Sequence, residues 1–266
     1  MYFTIKLIVK ATKICLLNHF FIRAMTDIKF RYFIKMSFLG TQYHGWQVQK
    51  NSISVQGETE KALSTLLREN IRLTGAGRTD TGVHAREFFA HFDSSYQPQD
   101  LREMRLAYKL NRMLPPTIAI QDVFNVKENA HARFDASERT YRYYICTQKD
   151  PFFYGRAWIF ERPLQMENMQ KASELLLGVN DFSSFAKSGT QVKTNICRLS
   201  QASWEREGNI LIFSISADRF LRNMVRAITG SLVDTGLGNT SLEDFKDIIK
   251  AKNRSSAGYS APACGL

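Results

Sequence analysis

An alternation of apolar and polar side chains begins at Ile28 and continues to Phe38. This period of two predicts a half-buried β-strand. After a glycine-containing loop, Ser54 stands at a good N-cap position, and the apolar residues behind it recur at helical spacing as far as Leu67. The chain therefore begins with a strand, a loop and a helix, which indicates a fold that mixes both kinds of element.

The same two periods recur along the rest of the chain. They predict strands over 71–73, 88–92, 118–124, 140–147 and 210–217, helices over 101–112, 167–177 and 220–233, and a last helix that Ser241 and Asp244 cap. Elements in this order are typical of a ferredoxin-like or RRM-like α/β sandwich. Because two such series follow one another, we predict one domain over residues 25–125 and a second over 126–266.

The first 24 residues are predicted to form an appendage outside the fold. They carry four basic residues, no acidic one and only interrupted apolar runs. A membrane span needs about 20 apolar residues in succession, and a secretory signal needs a continuous apolar stretch followed by small residues. The segment meets neither requirement, and Met25 offers an alternative start.

The charge of the chain favours a polyanionic partner. Lys and Arg number 36 against 25 Asp and Glu, so the net charge is +11, which suits nucleic acid or an anionic membrane. The four cysteines are scattered and form no C-x-x-C pair, which argues against a zinc ribbon and fits a reducing compartment such as the cytoplasm. The five histidines show no metal-binding spacing, so no metal site is predicted.

The densest cluster of candidate functional residues is the loop from Gly75 to Ala85, with the sequence GAGRTDTGVHA. Its glycines allow the backbone to approach a ligand closely. A dinucleotide-binding loop is not supported, because Asp80 stands where the third glycine should be and no helical pattern follows. An aspartate in such a loop is most often a turn residue that bonds its own backbone. The loop alone therefore leaves the role of Asp80 open.

This loop resembles the catalytic signature of the pseudouridine synthases, and its form GRTDTGVHA is similar to that of the tRNA pseudouridine synthase A family. Other segments resemble the family's motifs in the family's order: QYHGWQ at 42–47, AHARF at 130–134, RTYRY at 139–143, NDFSSF at 180–185 and FLRNMVR at 220–226. The resemblance implies an α+β protein with two ferredoxin/RRM-like α/β sandwich domains, whose mixed, mostly antiparallel sheets flank a basic central cleft. It also implies that the first domain carries the catalytic loop.

The activity that the resemblance implies is the isomerisation of uridine to pseudouridine at positions 38, 39 and 40 of the tRNA anticodon stem-loop. It implies tRNA as the partner, a homodimer, no cofactor and no membrane association. Asp80 matches the family's catalytic aspartate, and a carboxylate can attack the ribose or the uracil ring, or deprotonate the sugar. These three routes stay open. Arg226 is the expected cationic partner that keeps Asp80 ionised.

The resemblance also assigns residues that contact the substrate. Tyr141 is expected to stack on the target uracil, although its place in an alternating strand also fits a core residue. Arg78 is expected to fill the space that the everted base leaves. The remaining RNA-binding candidates are His131, Arg133, Phe185, Lys187 and Arg222. Their contacts with phosphate predict an affinity that does not depend on sequence and that falls steeply with salt.

Two further expectations concern arginines and histidines. Arg219, Arg222 and Arg226 are three and four residues apart, which predicts one basic face of a helix; we expect Arg226 near Asp80 and the other two nearer to phosphate. His84 is expected to be a hydrogen-bonding residue of the loop and His91 a strand residue, and neither is expected to act as acid or base.

Two other functions stay open at this point. A non-catalytic RNA-binding protein of RRM-like units would also be basic, although its RNP1 string is not found. An enzyme that binds a small nucleotide with the loop 75–82 is the second alternative. Family chains continue after the glycine and leucine that stand here at 265 and 266 into a final apolar strand, so we expect this chain to lack that strand and to expose a sheet edge.

Overall fold

The structure is a computed structural model that describes residues 29–187, 189 and 193–266. The expected appendage, Met25 and Ile28 lie outside the described residues. The described part of the chain forms eight strands in two sheets and six α-helices. The predicted α+β class with two mostly antiparallel sheets is thereby confirmed.

The strands are β1 (Phe30–Phe38), β2 (Thr74–Gly75), β3 (Ala85–Ser94), β4 (Ile118–Asn125), β5 (Arg139–Cys146), β6 (Trp158–Ile159), β7 (Leu199–Glu207) and β8 (Ile210–Ala217). The helices are α1 (Val55–Leu67), α2 (Pro98–Glu103), α3 (Leu106–Met113), α4 (Met166–Leu176), α5 (Met224–Gly236) and α6 (Leu242–Ala251).

The first sheet has the strand order β2-β3-β1-β4, and all of its pairs are antiparallel. The predicted strand β1 lies in its centre, where its alternate side chains Tyr32, Ile34 and Met36 are all buried. Helix α1 begins as predicted, because the Ser54 hydroxyl accepts a hydrogen bond from the Gly57 amide at 3.2 Å. Helices α1 and α3 pack their apolar residues into the same core.

The second sheet has the order β6-β5-β8-β7, in which only the short pair of β5 and β6 is parallel within the described residues. Strand β8 is buried along its whole length, as its central position requires. Helix α4 packs against β7 and α5, and α6 packs against both helices. The predicted capping box of α6 is confirmed: the Ser241 hydroxyl accepts from the Asp244 amide, and the Asp244 carboxylate accepts from the Ser241 amide.

Two helix predictions were wrong at specific residues. The helix predicted over 101–112 is divided into α2 and α3, because Arg105 adopts a left-handed conformation with φ 54°. The helix predicted over 220–233 begins only at Met224, because Asn223 is left-handed with φ 64°. Asparagine tolerates this conformation better than most residues. Residues 219–222 therefore lie before α5, with a turn at 222–223, and Arg219, Arg222 and Arg226 do not share the expected helical face.

Two strand predictions were also incomplete. Residues 71–73 are not a strand; Ile71 and Leu73 are buried core residues, and the strand β2 follows at Thr74–Gly75. Strand β7 was not predicted, because most of its side chains are polar and exposed, and only Ala202 and Trp204 are buried. An edge strand of this kind gives a weak alternation signal.

Some residues near the candidate site pack against the cores of both sheets. One core contains residues between 32 and 132, and another contains residues from 143 to 266 together with Val83. Tyr141 packs against both cores. Val83 belongs to the glycine-rich loop of the first sheet, so this loop is anchored in the second core. The division of the chain near residue 125 stays a prediction.

Candidate active site

The candidate site is built around residues 76–84, which we call the Asp80 loop. The loop leaves β2 and turns sharply at Gly82, whose φ of +82° suits glycine. The Val83 amide donates to the Asp80 carbonyl at 3.2 Å, and the Gly82 amide donates to the Tyr43 carbonyl at 3.3 Å. These bonds fix the turn that carries the Asp80 side chain.

The segment 40–46 presses directly against the Asp80 loop. A Cβ atom on Gly45 would lie 2.2 Å from the carbonyl oxygen of Thr79, and Gly45 also has a φ of +85°. A Cβ atom on Gly40 would lie 1.9 Å from the carbonyl oxygen of Val83. Only glycine allows two backbone segments to come so close. Gly45, the glycine of the QYHGWQ motif, thus allows close contact with the backbone of Thr79, the residue before Asp80.

His84 ties the end of the loop to its surroundings, as expected for a hydrogen-bonding loop residue. Its Nδ1 accepts from the Gly40 amide at 2.9 Å, and its Nε2 lies 3.0 Å from the Gly155 carbonyl, to which it donates. Burial lowers the pKa of His84, which favours the neutral ring that this arrangement requires. The His84 amide also donates to the Leu266 carbonyl at 2.9 Å.

Asp80 faces two guanidinium groups. Arg226 Nη1 lies 3.3 Å from one carboxylate oxygen, and Arg222 Nε lies 4.0 Å from the other. The Asp80 side chain is 29% exposed, so solvent screens this field only in part. Asn223, the N-cap residue of α5, lines the same cleft, and the positive end of the helix dipole adds to the stabilisation of a negative charge.

Arg226 is itself held in place. Its Nε donates to the Ala261 carbonyl at 2.7 Å, and the Ala261 amide donates back to the Arg226 carbonyl at 2.9 Å. Its side chain is only 22% exposed. Arg226 therefore lies beside Asp80, as expected, and it is fixed there. Arg222 also reaches Asp80, from the turn before α5, and its side chain is 60% exposed. The contact of Arg222 with phosphate stays a prediction.

The Asp80 carboxylate lines a basic cleft with a volume of about 640 Å³. Its charged lining residues are Asp80, Lys187, Arg222, Arg226 and Arg254. One acid among four cations gives a positive field that attracts a polyanion. Arg254 was not predicted from the sequence; its Nη1 donates to the carbonyls of Ala257 and Gly258 and its Nη2 to the hydroxyl of Ser260.

Tyr141 lies in β5 near Asp80, outside the set of residues that line this cleft. Its ring packs edge-to-face on Phe220 with centroids 4.9 Å apart. Burial raises the pKa of Tyr141, and the negative charge of Asp80 raises it further. The phenol is therefore neutral, and it lies near enough to Asp80 for that charge to affect its pKa. Tyr141 packs on both cores, as expected for a core residue, and its contact with the target uracil stays a prediction.

Arg139 has a role that sequence reasoning missed. Its Nη1 donates to the carbonyls of Asp218 (2.8 Å) and Ala136 (3.3 Å), and its Nη2 to those of Arg133 (2.6 Å) and Ala76 (3.1 Å). One guanidinium thus joins the Asp80 loop, the segment with Arg133 and the end of β8. Burial lowers the pKa of Arg139. The RTYRY motif contains this residue, but backbone carbonyl partners leave no pattern in the sequence.

The other predicted RNA-binding residues differ in their positions. Arg78 and Arg133 are exposed, and Lys187 is exposed at the cleft. His131 organises its own loop, because its Nδ1 accepts from two backbone amides. Phe185 is only 1% exposed and packs in the second core, so its side chain does not face the cleft.

His91 is a buried residue of β3, as expected. Its Nδ1 accepts from the Ala132 amide at 3.1 Å. Burial lowers the pKa of His91 to about 4. In the part of the chain that the structure describes, no three His, Cys, Asp or Glu side chains are grouped so that they could hold a metal ion. Nor does any helix of that part have the length and apolar character to cross a bilayer.

Comparisons with known proteins identify similar sequences. A family model described as tRNA pseudouridine synthase matches residues 172–266. A tRNA pseudouridine synthase A from Bacteroides fragilis is 49% identical over 237 residues, which cover 89% of this chain and 93% of that protein. The Porphyromonas gingivalis protein of the same name is 49% identical over 89% of this chain and 94% of its own length. That of Acetivibrio thermocellus is 42% identical, with coverages of 85% and 93%.

Proposed function

The chain belongs to the tRNA pseudouridine synthase A family, whose members are isomerases, and we propose that it converts uridines 38, 39 and 40 of the tRNA anticodon stem-loop to pseudouridine with Asp80 as the catalytic group. The observation that carries this proposal is the Asp80 carboxylate beside Arg226 and Arg222, at the mouth of a basic cleft. An ionised carboxylate at such a place needs no cofactor to attack the nucleoside.

The proposed reaction balances within one nucleotide. The bond from the ribose C1′ to uracil N1 breaks, the base turns, and a bond from C1′ to C5 forms. The hydrogen on C5 leaves as a proton, and N1 gains one. Asp80 supplies the negative charge for these steps. Arg226 forms an ion pair with Asp80, which becomes stronger when the RNA excludes water from the cleft.

The surroundings of Asp80 support an everted uridine as the substrate. A uridine in a duplex must leave its stack before the carboxylate can reach it, at a cost of a few kcal/mol. Tyr141 offers a neutral ring beside the cleft for the displaced base, and Arg78 is exposed two residues before Asp80. Lys187, Arg133 and the cations of the cleft provide phosphate contacts, which do not depend on sequence.

One assay separates this function from its two alternatives. Transfer RNA tritiated at uracil C5 is incubated with the wild type, with Asp80→Asn, and with Asp247→Asn, a control on the exposed surface of α6. We expect the wild type and Asp247→Asn to release tritium, and Asp80→Asn to bind tRNA without releasing it. If all three proteins bind tRNA and none of them releases tritium, a non-catalytic RNA-binding protein is favoured. No affinity for tRNA would favour an enzyme of small nucleotides.

The family resemblance also supports a homodimer in the cytoplasm as the active form. Static light scattering on the full chain at assay concentrations measures the mass directly. A dimer mass is expected, and a monomer mass with full activity would refute this part of the proposal.

A further inference from the structure

Phe134 is an exposed aromatic residue of the AHARF segment. It is 75% exposed, which places it among the most exposed large apolar side chains of the described residues. It lies in the loop 130–136 between β4 and β5, next to Arg133. Single exposed apolar side chains are common on protein surfaces, so a binding role for Phe134 must rest on how its ring is held and on its neighbours.

The loop that carries Phe134 is fixed by its own hydrogen bonds. His131 Nδ1 accepts from the amides of Arg133 (3.1 Å) and Phe134 (3.2 Å). The Asp135 carboxylate accepts from the His131 amide at 2.7 Å, and the Asp135 amide donates to the His131 carbonyl at 3.0 Å. The ring of Phe134 is therefore presented on a preorganised turn, which reduces the entropy that binding must remove.

A column of rings supports Phe134 from the core outwards. The buried His91 meets His131 edge-to-face at 4.6 Å, and His131 stacks on Phe134 at 4.1 Å with an interplanar angle of 27°. One face of Phe134 is thus covered by His131, while most of the ring is left to solvent. The Arg133 guanidinium lies 6.0 Å from the Phe134 centroid, so a cation accompanies the open surface.

This column is joined to the catalytic centre. Arg139 Nη2 donates both to the Arg133 carbonyl and to the Ala76 carbonyl. A single nitrogen atom therefore connects the loop of Phe134 with the start of the Asp80 loop.

We propose that Phe134 is a stacking platform for an unpaired nucleobase of the tRNA, other than the uridine on which Asp80 acts. The inference rests on the proposed function. A rigid aromatic ring with a neighbouring arginine is the arrangement that proteins use for single-stranded RNA, because every base has a π face and every nucleotide a phosphate. The base lies on the open surface of Phe134, and Arg133 takes the adjoining phosphate.

The test compares four substitutions for their affinity to unmodified tRNA, by fluorescence anisotropy of labelled tRNA with the full chain. Phe134→Ala removes the ring, Phe134→Leu keeps an apolar side chain without a π face, and Phe134→Tyr keeps the ring. Phe152→Ala is the matched control, since Phe152 is 79% exposed in the turn Pro151–Phe153. We expect Phe134→Ala and Phe134→Leu to raise Kd about tenfold, as the loss of one base stack predicts. Phe134→Tyr and Phe152→Ala should bind like the wild type.

The salt dependence of Kd gives a second measure. Because Phe134 carries no charge, Phe134→Ala should shift log Kd equally at all salt concentrations and leave the slope unchanged. Wild-type affinity in Phe134→Ala or in Phe134→Leu would overturn the platform, and so would a lower molecular mass of Phe134→Ala in light scattering, which would indicate a contact between two copies of the chain. Tritium release by the wild type tests the proposed function separately; a wild type that does not bind tRNA would overturn both.

Discussion

The substitution Gly45→Ala tests how closely the position of Asp80 depends on its neighbours. Gly45 has two properties that alanine does not tolerate. Its φ of +85° lies in the region that glycine favours, and its missing Cβ would lie 2.2 Å from the Thr79 carbonyl oxygen. Thr79 directly precedes Asp80, so a displacement of this carbonyl displaces the carboxylate.

The magnitude follows from these two numbers. A left-handed conformation costs an L-residue such as alanine about 1–2 kcal/mol. The distance between this Cβ and the carbonyl oxygen must also increase from 2.2 Å to an ordinary contact of 3.4 Å, and a Cβ is attached directly to the backbone, so no side-chain rotation can relieve the contact. The Asp80 loop must therefore shift by about 1 Å, and a misplacement of that size costs on the order of 100-fold in rate. We expect kcat to fall by about this factor and Tm to fall by at least about 4 °C.

The assay measures kcat by tritium release, Kd for tRNA by anisotropy and Tm by circular dichroism. Gly208→Ala is the matched control: Gly208 has a φ of +58° in the turn between β7 and β8, and a Cβ there meets no atom within 4 Å. It should lower Tm through conformational strain alone and leave kcat unchanged. If Gly45→Ala is as active as Gly208→Ala, the contact with Thr79 does not position Asp80.

Two further predictions concern Arg139 and His91. Arg139→Lys keeps the charge but cannot supply a planar fork for four carbonyls. It should lower the free energy of unfolding, measured in urea, by about 2 kcal/mol, and it should reduce kcat, measured by tritium release. Arg142→Lys, on the opposite face of β5, should change neither quantity. The pKa of His91 is lowered to about 4 in the folded protein, so between pH 6.5 and 4 the unfolded chain binds the proton more readily. Stability should therefore fall as the pH falls through this window, by about 2 kcal/mol at pH 5, and urea unfolding of His91→Gln should show a smaller loss between pH 7 and 5.

Elements whose cause is local could be predicted from the sequence. The capping box of α6 needs only Ser241 and Asp244, and both bonds are present. The alternation that places Leu211, Phe213, Ile215 and Ala217 on one face led to the correct bounds of β8, Ile210–Ala217. In each case the signal and the structure lie within a few residues of one another, so tertiary contacts do not alter the outcome.

Features that depend on distant backbone groups could not be predicted in the same way. The left-handed residues Arg105 and Asn223 interrupt stretches with helical spacing, and nothing in their neighbours' periodicity marks them. The consequence is large at Asn223, because Arg222 leaves the helix and reaches Asp80. Arg139 bonds carbonyls that lie up to 79 residues away, and a carbonyl is present in every residue. The family motif marks such an arginine, but only the fold explains its partners.

The Asp80 site depends on both halves of the chain, and this explains why its supporting residues are so widely spread. Asp80 lies between β2 and β3 of the first sheet, while its nearest cation, Arg226, comes from α5, 146 residues later. Arg226 in turn donates a hydrogen bond to the Ala261 carbonyl. Arg254 donates to the carbonyls of residues 257 and 258, which shortly precede Ala261. The segment 257–261 therefore acts on the carboxylate through Arg226. A change that loosens this segment weakens the ion pair at Asp80 without touching the Asp80 loop, so it should lower kcat before it lowers the stability of either core.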